Sequence, residues 1–190
     1  MATRKDIITL PNDHLRQRSK KIGLITDEVK KLITDMESAT LNWEDSREHE
    51  VGVALAAIQI DKSMRVVVIR DNFDDKTNRN FTALINPEIT KLEGELEEDF
   101  EGCLSVTDIY GKVKRRNKVR VKALNINGKE IRLTAEGFLA RVLQHEIDHT
   151  NGVLFIDHIK GQKEAFFKLL ENGKLEAADY DEATKNLWND

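Results

Sequence analysis

The chain has 190 residues, 39% of them hydrophobic, and a net charge of −4 from 30 Lys and Arg against 34 Asp and Glu. This length is ordinary for one domain with a sizeable core, and the net acidity argues against stable nucleic-acid binding through bulk charge. Cys103 is the single cysteine, so the class of disulfide-stapled secreted scaffolds is excluded.

The first ten residues, MATRKDIITL, lack the apolar core of a signal peptide. The longest apolar run, at residues 53–58, is too short to span a bilayer. We therefore expect a cytoplasmic protein that makes no membrane contact.

An amphipathic helix is the first regular element that the sequence predicts. Thr26 or Asp27 can cap its start, and the polar stretch 42–50 ends it. Between these points apolar residues recur at helical spacing, at Val29, Leu32, Ile33 and Met36. Such a pattern is typical of a helix that packs one face on a core.

Strands are predicted in the middle of the chain. Residues 65–70 and 81–86 are apolar runs separated by a polar loop at 71–80. Residues 118–126 alternate polar and apolar, and Asn127-Gly128 supplies the turn for a hairpin that returns at residues 131–133.

The C-terminal third is predicted to be helical. Helical periodicity runs from about 135 to 150 and stops at Gly152, and a last helix is predicted at 162–170, closed by Asn172-Gly173. The sequence thus predicts an α+β fold in which antiparallel strands and hairpins pack around a central helix, with a further helix near the C-terminus. We expect a domain over residues 1–160 and a helical appendage with an acidic tail over 161–190.

The central helix carries a motif with the spacing of metal ligands. His145 and His149 are four residues apart, so their imidazoles share one face and can bind one metal. Glu146, about 100° further around the axis, can reach a metal-bound water without being a ligand. Phe138 and Val142 lie on the stripe of the two histidines, which predicts that the histidines are buried. Buried histidines need partners, and a shared metal satisfies both.

A catalytic metal commonly takes three protein ligands, so a third ligand is needed. Phe155 occupies the place of the third histidine in the metzincin pattern, which excludes that pattern, and His158 lies three residues too far along. Glu164 or Glu171 would be the third ligand in a thermolysin-like peptidase. The remaining candidate is Cys103, because a thiolate and two imidazoles suit zinc, iron(II) or cobalt(II).

Cys103 has two other interpretations. It can be a small buried hydrophobe, the commonest fate of a free cysteine. It can also be a nucleophile that uses His145 as its base, but Glu146 and His149 would then have no role. We therefore prefer the metal ligand.

Three segments, in order along the chain, resemble the signature motifs of peptide deformylases. They are Gly52-Val-Ala-Leu-Ala-Ala-Ile-Gln59, Glu101-Gly-Cys-Leu-Ser105 and Gln144-His-Glu-Ile-Asp-His149. Asn12-Asp-His-Leu-Arg16 and Gly152-Val-Leu-Phe155 are similar to that family as well, and the resemblance spans residues 5–160.

The resemblance implies a metal-dependent hydrolase that removes the formyl group from the N-terminal formyl-methionine of nascent polypeptides. It implies one divalent metal ion per chain, typically Fe(II), with Zn, Ni or Co as substitutes. The implied metal ligands are Cys103, His145 and His149, and Glu146 is the implied general base and acid for attack by a metal-bound hydroxide.

Further roles follow from the same resemblance. The side-chain amide of Gln59 and the backbone N–H of Leu104 would stabilise the oxyanion. The peptide would lie as an added strand beside the first motif, with its methionine side chain against the central helix. The implied substrate-binding residues are Gly52, Val53, Ala54, Phe138 and Val142.

Four positions depart from the family pattern. Ala54 replaces the second glycine of the first motif, and its methyl group is expected to crowd the substrate or to need a backbone angle that alanine dislikes. Ile58, Thr107 and Thr150 also differ from the common residues, and none of the four changes removes a reacting group. We expect effects on substrate preference and rate.

Two charged blocks allow alternative interpretations. Residues 88–101 hold seven acidic side chains and residues 112–122 hold seven basic ones. The basic block can be a transient ribosome or RNA contact, or the two blocks can be strands that face each other, which we prefer.

Two rival functions remain. A metallopeptidase with a glutamate as third ligand predicts that Cys103→Ala keeps the metal. A non-catalytic module closed by a fourth protein ligand predicts unchanged function after Glu146→Ala.

Overall fold

A computed structural model describes residues 1–188, and Asn189 and Asp190, at the end of the predicted acidic tail, lie outside the described residues. The helices are α1 (Asp27–Glu44), α2 (Gly137–Thr150) and α3 (Tyr180–Thr184). The strands are β1 (Ala54–Ala56), β2 (Val66–Arg70), β3 (Phe81–Cys103), β4 (Val106–Leu124), β5 (Glu130–Glu136), β6 (Phe166–Leu169) and β7 (Leu175–Ala177). The fold is therefore α+β, as predicted.

The seven strands form one antiparallel sheet. Its main order is β1-β2-β3-β4-β6-β7, and β5 also pairs with β4. The predicted hairpin is confirmed: β4 and β5 are paired from Lys118 opposite Glu136 to Leu124 opposite Glu130. Gly128 in its turn has φ +77°, a left-handed conformation that glycine adopts without steric cost.

The strands β3 and β4 extend well beyond their predicted lengths and contain the two charged blocks. Glu88 lies opposite Lys122, and Glu93 lies opposite Lys118. Opposite charges on neighbouring strands attract each other, which compensates for the weak strand preference of Glu and Lys. The preferred interpretation of the blocks, strands that face each other, is confirmed.

Helix α1 begins where the sequence predicts. The Thr26 hydroxyl accepts a hydrogen bond from the N–H of Val29 at 3.4 Å and so caps the first turn. The apolar face of α1 packs on β1 and β2, where it meets Leu55, Val66 and Val68. The helix thereby supports the back of the first two strands.

Helix α2 is buried on nearly all sides. Its apolar residues, among them Ala140, Leu143 and Ile147, pack on the sheet. Arg141 and Gln144, which the helical pattern places on a polar side, are buried as well and bind neighbouring strands. The helix ends before Gly152, whose φ of +77° allows the predicted left-handed stop.

The prediction of a helix at 162–170 is wrong. That segment forms a short 3₁₀ turn and then β6, which pairs with β4, and the only C-terminal α-helix in residues 1–188 is the short α3. Burial of Phe166 under Tyr180 and Trp188 outweighs the helical preference of the local sequence. Asn172-Gly173, read as a helix stop, is instead the turn between β6 and β7, with Gly173 at φ +77°. The domain division at residue 160 stays a prediction.

None of the helices within residues 1–188 combines the length and the apolarity that are needed to cross a bilayer.

Candidate metal centre

A cavity of about 300 Å³ lies between the first motif, the turn that joins β3 to β4, and helix α2. All three motifs of the sequence contribute to its walls, through Val53, Gln59, Cys103, His145 and Glu146. The fold therefore brings together segments that are far apart in the chain.

Three of the predicted site residues form a compact cluster of donors. Cys103 ends β3, and His145 and His149 lie one turn apart on α2. One ligand atom from each residue lies within 4.8 Å of the other two. The Cys103 Sγ is 3.2 Å from the His149 Nε2. This arrangement is small enough for one metal ion to bind all three atoms.

Within residues 1–188 this is the only such group of three or more donors. His158, Glu164 and Glu171 do not belong to this group: Glu164 lines a separate surface pocket, and the His158 Nε2 lies 2.7 Å from a carboxylate oxygen of Asp148.

Glu101 fixes the ring of His145. Its Oε2 lies 3.0 Å from the His145 Nδ1, so the Nε2 of that ring is free to face the donor cluster. Arg115 donates two hydrogen bonds to the Glu101 carboxylate, and Arg141 donates a third. Burial raises the pKa of Glu101, but His145 and Arg115 outweigh burial and hold that pKa far below its usual value.

The electrostatics of the cluster fit a bound cation. Burial and the nearby His145 lower the pKa of His149 well below its usual value, so His149 is neutral, the form that ligates metals. Burial also opposes a charge on His145, but contacts with Cys103 and Glu101 raise its pKa well above the usual value. The cluster thus favours positive charge beside the thiol, and a divalent metal would supply that charge in place of the His145 proton, because only a neutral imidazole ligates.

Glu146 lies at the cavity wall without a partner for one of its oxygens. Its Oε2 is buried and has no hydrogen bond within the described chain. Burial raises its pKa to about 7, although the nearby His145 opposes this rise. A carboxyl group with this pKa can both accept and donate a proton near neutral pH.

Gln59 is held in one orientation. Its Oε1 accepts a hydrogen bond from the N–H of Ala56 at 2.9 Å, and its Nε2 donates to the Ser105 hydroxyl at 3.1 Å. The same Nε2 is 3.5 Å from the Cys103 Sγ. Leu104, in the turn that follows Cys103, also lines the cavity. The amide nitrogen of Gln59 therefore lies beside the donor cluster, and Leu104 lies at the wall of the same cavity.

The predicted substrate-binding residues divide into two groups. Val53, Ala54, Phe138 and Val142 line the cavity. Gly52 lies behind it, where the nearest atoms of Thr40 leave no room for a Cβ. Ala54 belongs to β1, in an extended conformation that alanine adopts freely, so the expected backbone difficulty is absent.

The sequence analysis missed the roles of Glu101, Arg115 and Arg141. Glu101 precedes Cys103 by two residues in one strand, and each of the two side chains contacts a histidine of α2. This spacing could have revealed Glu101 as a partner of the metal ligands. Arg115 and Arg141 come from other elements, and their sequence carries no comparable signal.

Comparison with known proteins gives a consistent family. The sequence model of a family described as Polypeptide deformylase matches residues 4–165. Peptide deformylase from Aquifex aeolicus (strain VF5) is 39% identical over 175 residues, which cover 90% of this chain and 99% of that protein. Peptide deformylase from Desulforudis audaxviator (strain MP104C) is 40% identical over 151 residues, covering 80% and 90% of the two chains. A crystal structure of a peptide deformylase from Synechococcus elongatus in complex with actinonin has a TM-score of 0.74 and 36% identity, and the match covers 82% of this chain and 80% of that one.

Proposed function

Because the chain belongs to the peptide deformylase family, enzymes that remove the N-terminal formyl group of nascent polypeptides, we propose that Cys103, His145 and His149 hold its metal and that Glu146 moves the proton. The observation that carries this proposal is the compact cluster of three donors beside the buried Glu146, whose Oε2 has no hydrogen-bond partner within residues 1–188.

The metal in this proposal is iron(II), with zinc, nickel or cobalt as substitutes, since a thiolate and two imidazoles suit all four. When bound, a divalent ion supplies Lewis-acid activation of water and of the formyl carbonyl. Glu101 orients the ligand His145 through the Nδ1 contact, and Arg115 and Arg141 keep Glu101 ionised and in place.

Glu146 accepts the proton of the attacking water and returns it to the amine nitrogen when the C–N bond of the formamide breaks. Formate and a free α-amino group are the products. The raised pKa of about 7 matches this double role, because the group must be ionised before attack and protonated afterwards.

The Gln59 Nε2 and the backbone N–H of Leu104 stabilise the negative charge that develops on the formyl oxygen. The bond from Ala56 to the Gln59 Oε1 directs the amide nitrogen, rather than the oxygen, towards Cys103. Loss of one such donor typically costs ~10²–10³ in rate.

The substrate is a peptide that begins with formyl-methionine. Its backbone adds to the strand at Val53 and Ala54, and its methionine side chain lies against Phe138 and Val142, which line the same cavity. We place the reaction in the cytoplasm, where nascent chains emerge, with at most a transient ribosome contact.

The test is release of free amine from formyl-Met peptides by protein purified without oxygen and loaded with iron(II) or nickel. We expect activity in the wild type and a loss of ~10²–10⁴ in Glu146→Gln, with the metal retained. Cys103→Ala should lose the metal, and Glu164→Ala, the matched test of the peptidase alternative, should keep both metal and activity. An inactive, fully loaded wild type contradicts the proposal.

A further inference from the structure

A buried ion pair lies outside the cavity, at the junction of α1 and β2. Glu44 is the last residue of α1 and Arg70 the last residue of β2. The guanidinium contacts both carboxylate oxygens, and the Arg70 side chain has no exposed surface. Neither residue lines the cavity. A buried pair is weak evidence for stability, because apolar residues of similar volume serve as well or better, so its presence needs another explanation.

The pair holds the strand beside which the substrate is placed. The Glu44 Oε2 accepts a hydrogen bond from the N–H of Gly52 at 2.8 Å, and the N–H of Arg70 donates to the carbonyl of Val53 at 2.8 Å. Gly52 also fits against Thr40 so closely that no Cβ could be added. This cavity wall is thus held from behind by the carboxylate of Glu44, which Arg70 positions, and by the main chain of Arg70.

The same guanidinium holds the loop at 71–80. The Arg70 Nε donates to the carbonyl of Asn78 at 2.7 Å, and its Nη2 donates to the carbonyl of Lys76 at 3.3 Å. Phe73, the aromatic residue of this loop, packs edge-on against Phe138 with ring centroids 5.1 Å apart. Phe138 lines the cavity and is 49% exposed, so its contact with Phe73 restricts where the ring can lie.

We propose that Glu44 and Arg70 are positioning residues that set the distance between the two walls of the methionine pocket, the segment Gly52–Ala54 that leads into β1 and the loop-supported ring of Phe138. The pair thereby determines how well the enzyme distinguishes a methionine side chain from a smaller one. This proposal rests on the proposed function, since it concerns the pocket in which the substrate side chain lies.

The fork of an arginine is required, because the three N–H donors of a lysine share one nitrogen, which cannot occupy the separate positions from which Nε, Nη1 and Nη2 of Arg70 reach the loop and Glu44. Arg70→Lys keeps the buried charge opposite Glu44 but releases the loop. We therefore expect Arg70→Lys to raise KM for a formyl-Met peptide about tenfold, with kcat changed by no more than about threefold, since the reacting groups stay in place.

The sharper measurement is selectivity. The ratio of kcat/KM for formyl-Met-Ala-Ser to that for formyl-Ala-Ala-Ser should fall about tenfold in Arg70→Lys. The reason is that a loosened wall makes fewer contacts with the longer side chain. Phe73→Ala, at a half-buried position of a largely exposed loop, should also lower this ratio. Phe73→Tyr, which keeps the ring contact, should leave this ratio at its wild-type value.

The chain offers a matched control. Arg79 in the same loop pairs with Asp45, the neighbour of Glu44, through two bonds of 2.9 Å, but this pair is exposed. Arg79→Lys should leave the ratio unchanged. An active wild type whose selectivity is the same in Arg70→Lys and Phe73→Ala overturns this inference and leaves the proposed function intact. An inactive wild type overturns both.

Discussion

Glutamates of the hairpin formed by β3 and β4 make ion pairs with arginine at two places that differ in burial. Near the turn, Glu101 contacts Arg115 and Arg141, and the three side chains are 3–8% exposed. Further out, Glu93 contacts Arg120 and Lys91, whose side chains are 54% and 60% exposed. The bonds have similar lengths: 2.9 and 3.0 Å from Arg115, 2.6 and 3.3 Å from Arg120.

Bond length therefore does not determine how much an ion pair contributes to stability. The outer pairs lie in water, where attraction is weak, is screened by salt and is offset by lost side-chain entropy. The inner charges have left water, so each depends on the others for its hydrogen bonds. The inner cluster also ends on a metal ligand, His145, which the outer pairs do not reach.

Glu101→Gln should have the largest effect. It removes the carboxylate that Arg115 and Arg141 share, and only Arg115 keeps a second carboxylate, that of Asp148, so we expect a cost of about 3–5 kcal/mol in the free energy of unfolding. It also replaces the charged acceptor that orients His145 with an amide, which has one acceptor oxygen instead of two, so metal affinity should fall ~10–100-fold. Urea unfolding and competition with a chelator measure the two effects.

The control for this change is Glu93→Gln, on the same strand with the same substitution. If the two variants unfold at the same urea concentration and retain metal equally, burial does not separate the two regions and the comparison fails.

Arg141→Leu should have an intermediate effect. The change keeps the apolar stem but leaves Glu101 with Arg115 and His145, and it removes donors from the carbonyls of Val113 and Glu97. We expect a loss of about 2–3 kcal/mol in the free energy of unfolding, the cost of unmade buried hydrogen bonds. Because His145 keeps its acceptor, metal affinity should change less than in Glu101→Gln. A larger loss of metal in Arg141→Leu would show that Arg141, rather than Glu101, orients the ligand.

The sequence predicted those features that local patterns determine. The helical face with His145 and His149 follows from a spacing of four residues, and the hairpin at Asn127-Gly128 follows from turn chemistry. The cap at Thr26 follows from its hydroxyl. Each of these signals lies within a few residues, so no knowledge of distant contacts was required.

The remaining features depend on partners that are distant in the chain. Phe166 belongs to a strand because β4 offers a free edge and Tyr180 and Trp188 cover it, although its own neighbours favour a helix. The outer halves of β3 and β4 are strands because opposite charges meet across them. The inner cluster contains residues from β3, β4 and α2, and no local sequence pattern predicts that these residues contact one another.

Glu93→Gln should have the smallest effect on stability, and the dependence of this effect on pH and salt distinguishes Glu93 from the inner cluster. Hydrogen bonds from Lys91 and Arg120 lower the pKa of Glu93 from 4.5 to about 2. A lowered pKa means that the ionised group contributes stability above its unfolded pKa and loses that contribution as the pH falls through the folded pKa. The small difference in Tm between wild type and Glu93→Gln should therefore be present above pH 4.5 and vanish as the pH approaches 2.

The same difference in Tm should also vanish at neutral pH in ~1 M salt, where the screening length is ~3 Å. The loss of stability in Glu101→Gln should persist in this salt, because the partners of Glu101 are shielded from solvent. If salt removes both differences equally, the inner charges are screened like the outer ones, and the distinction between the two regions is wrong.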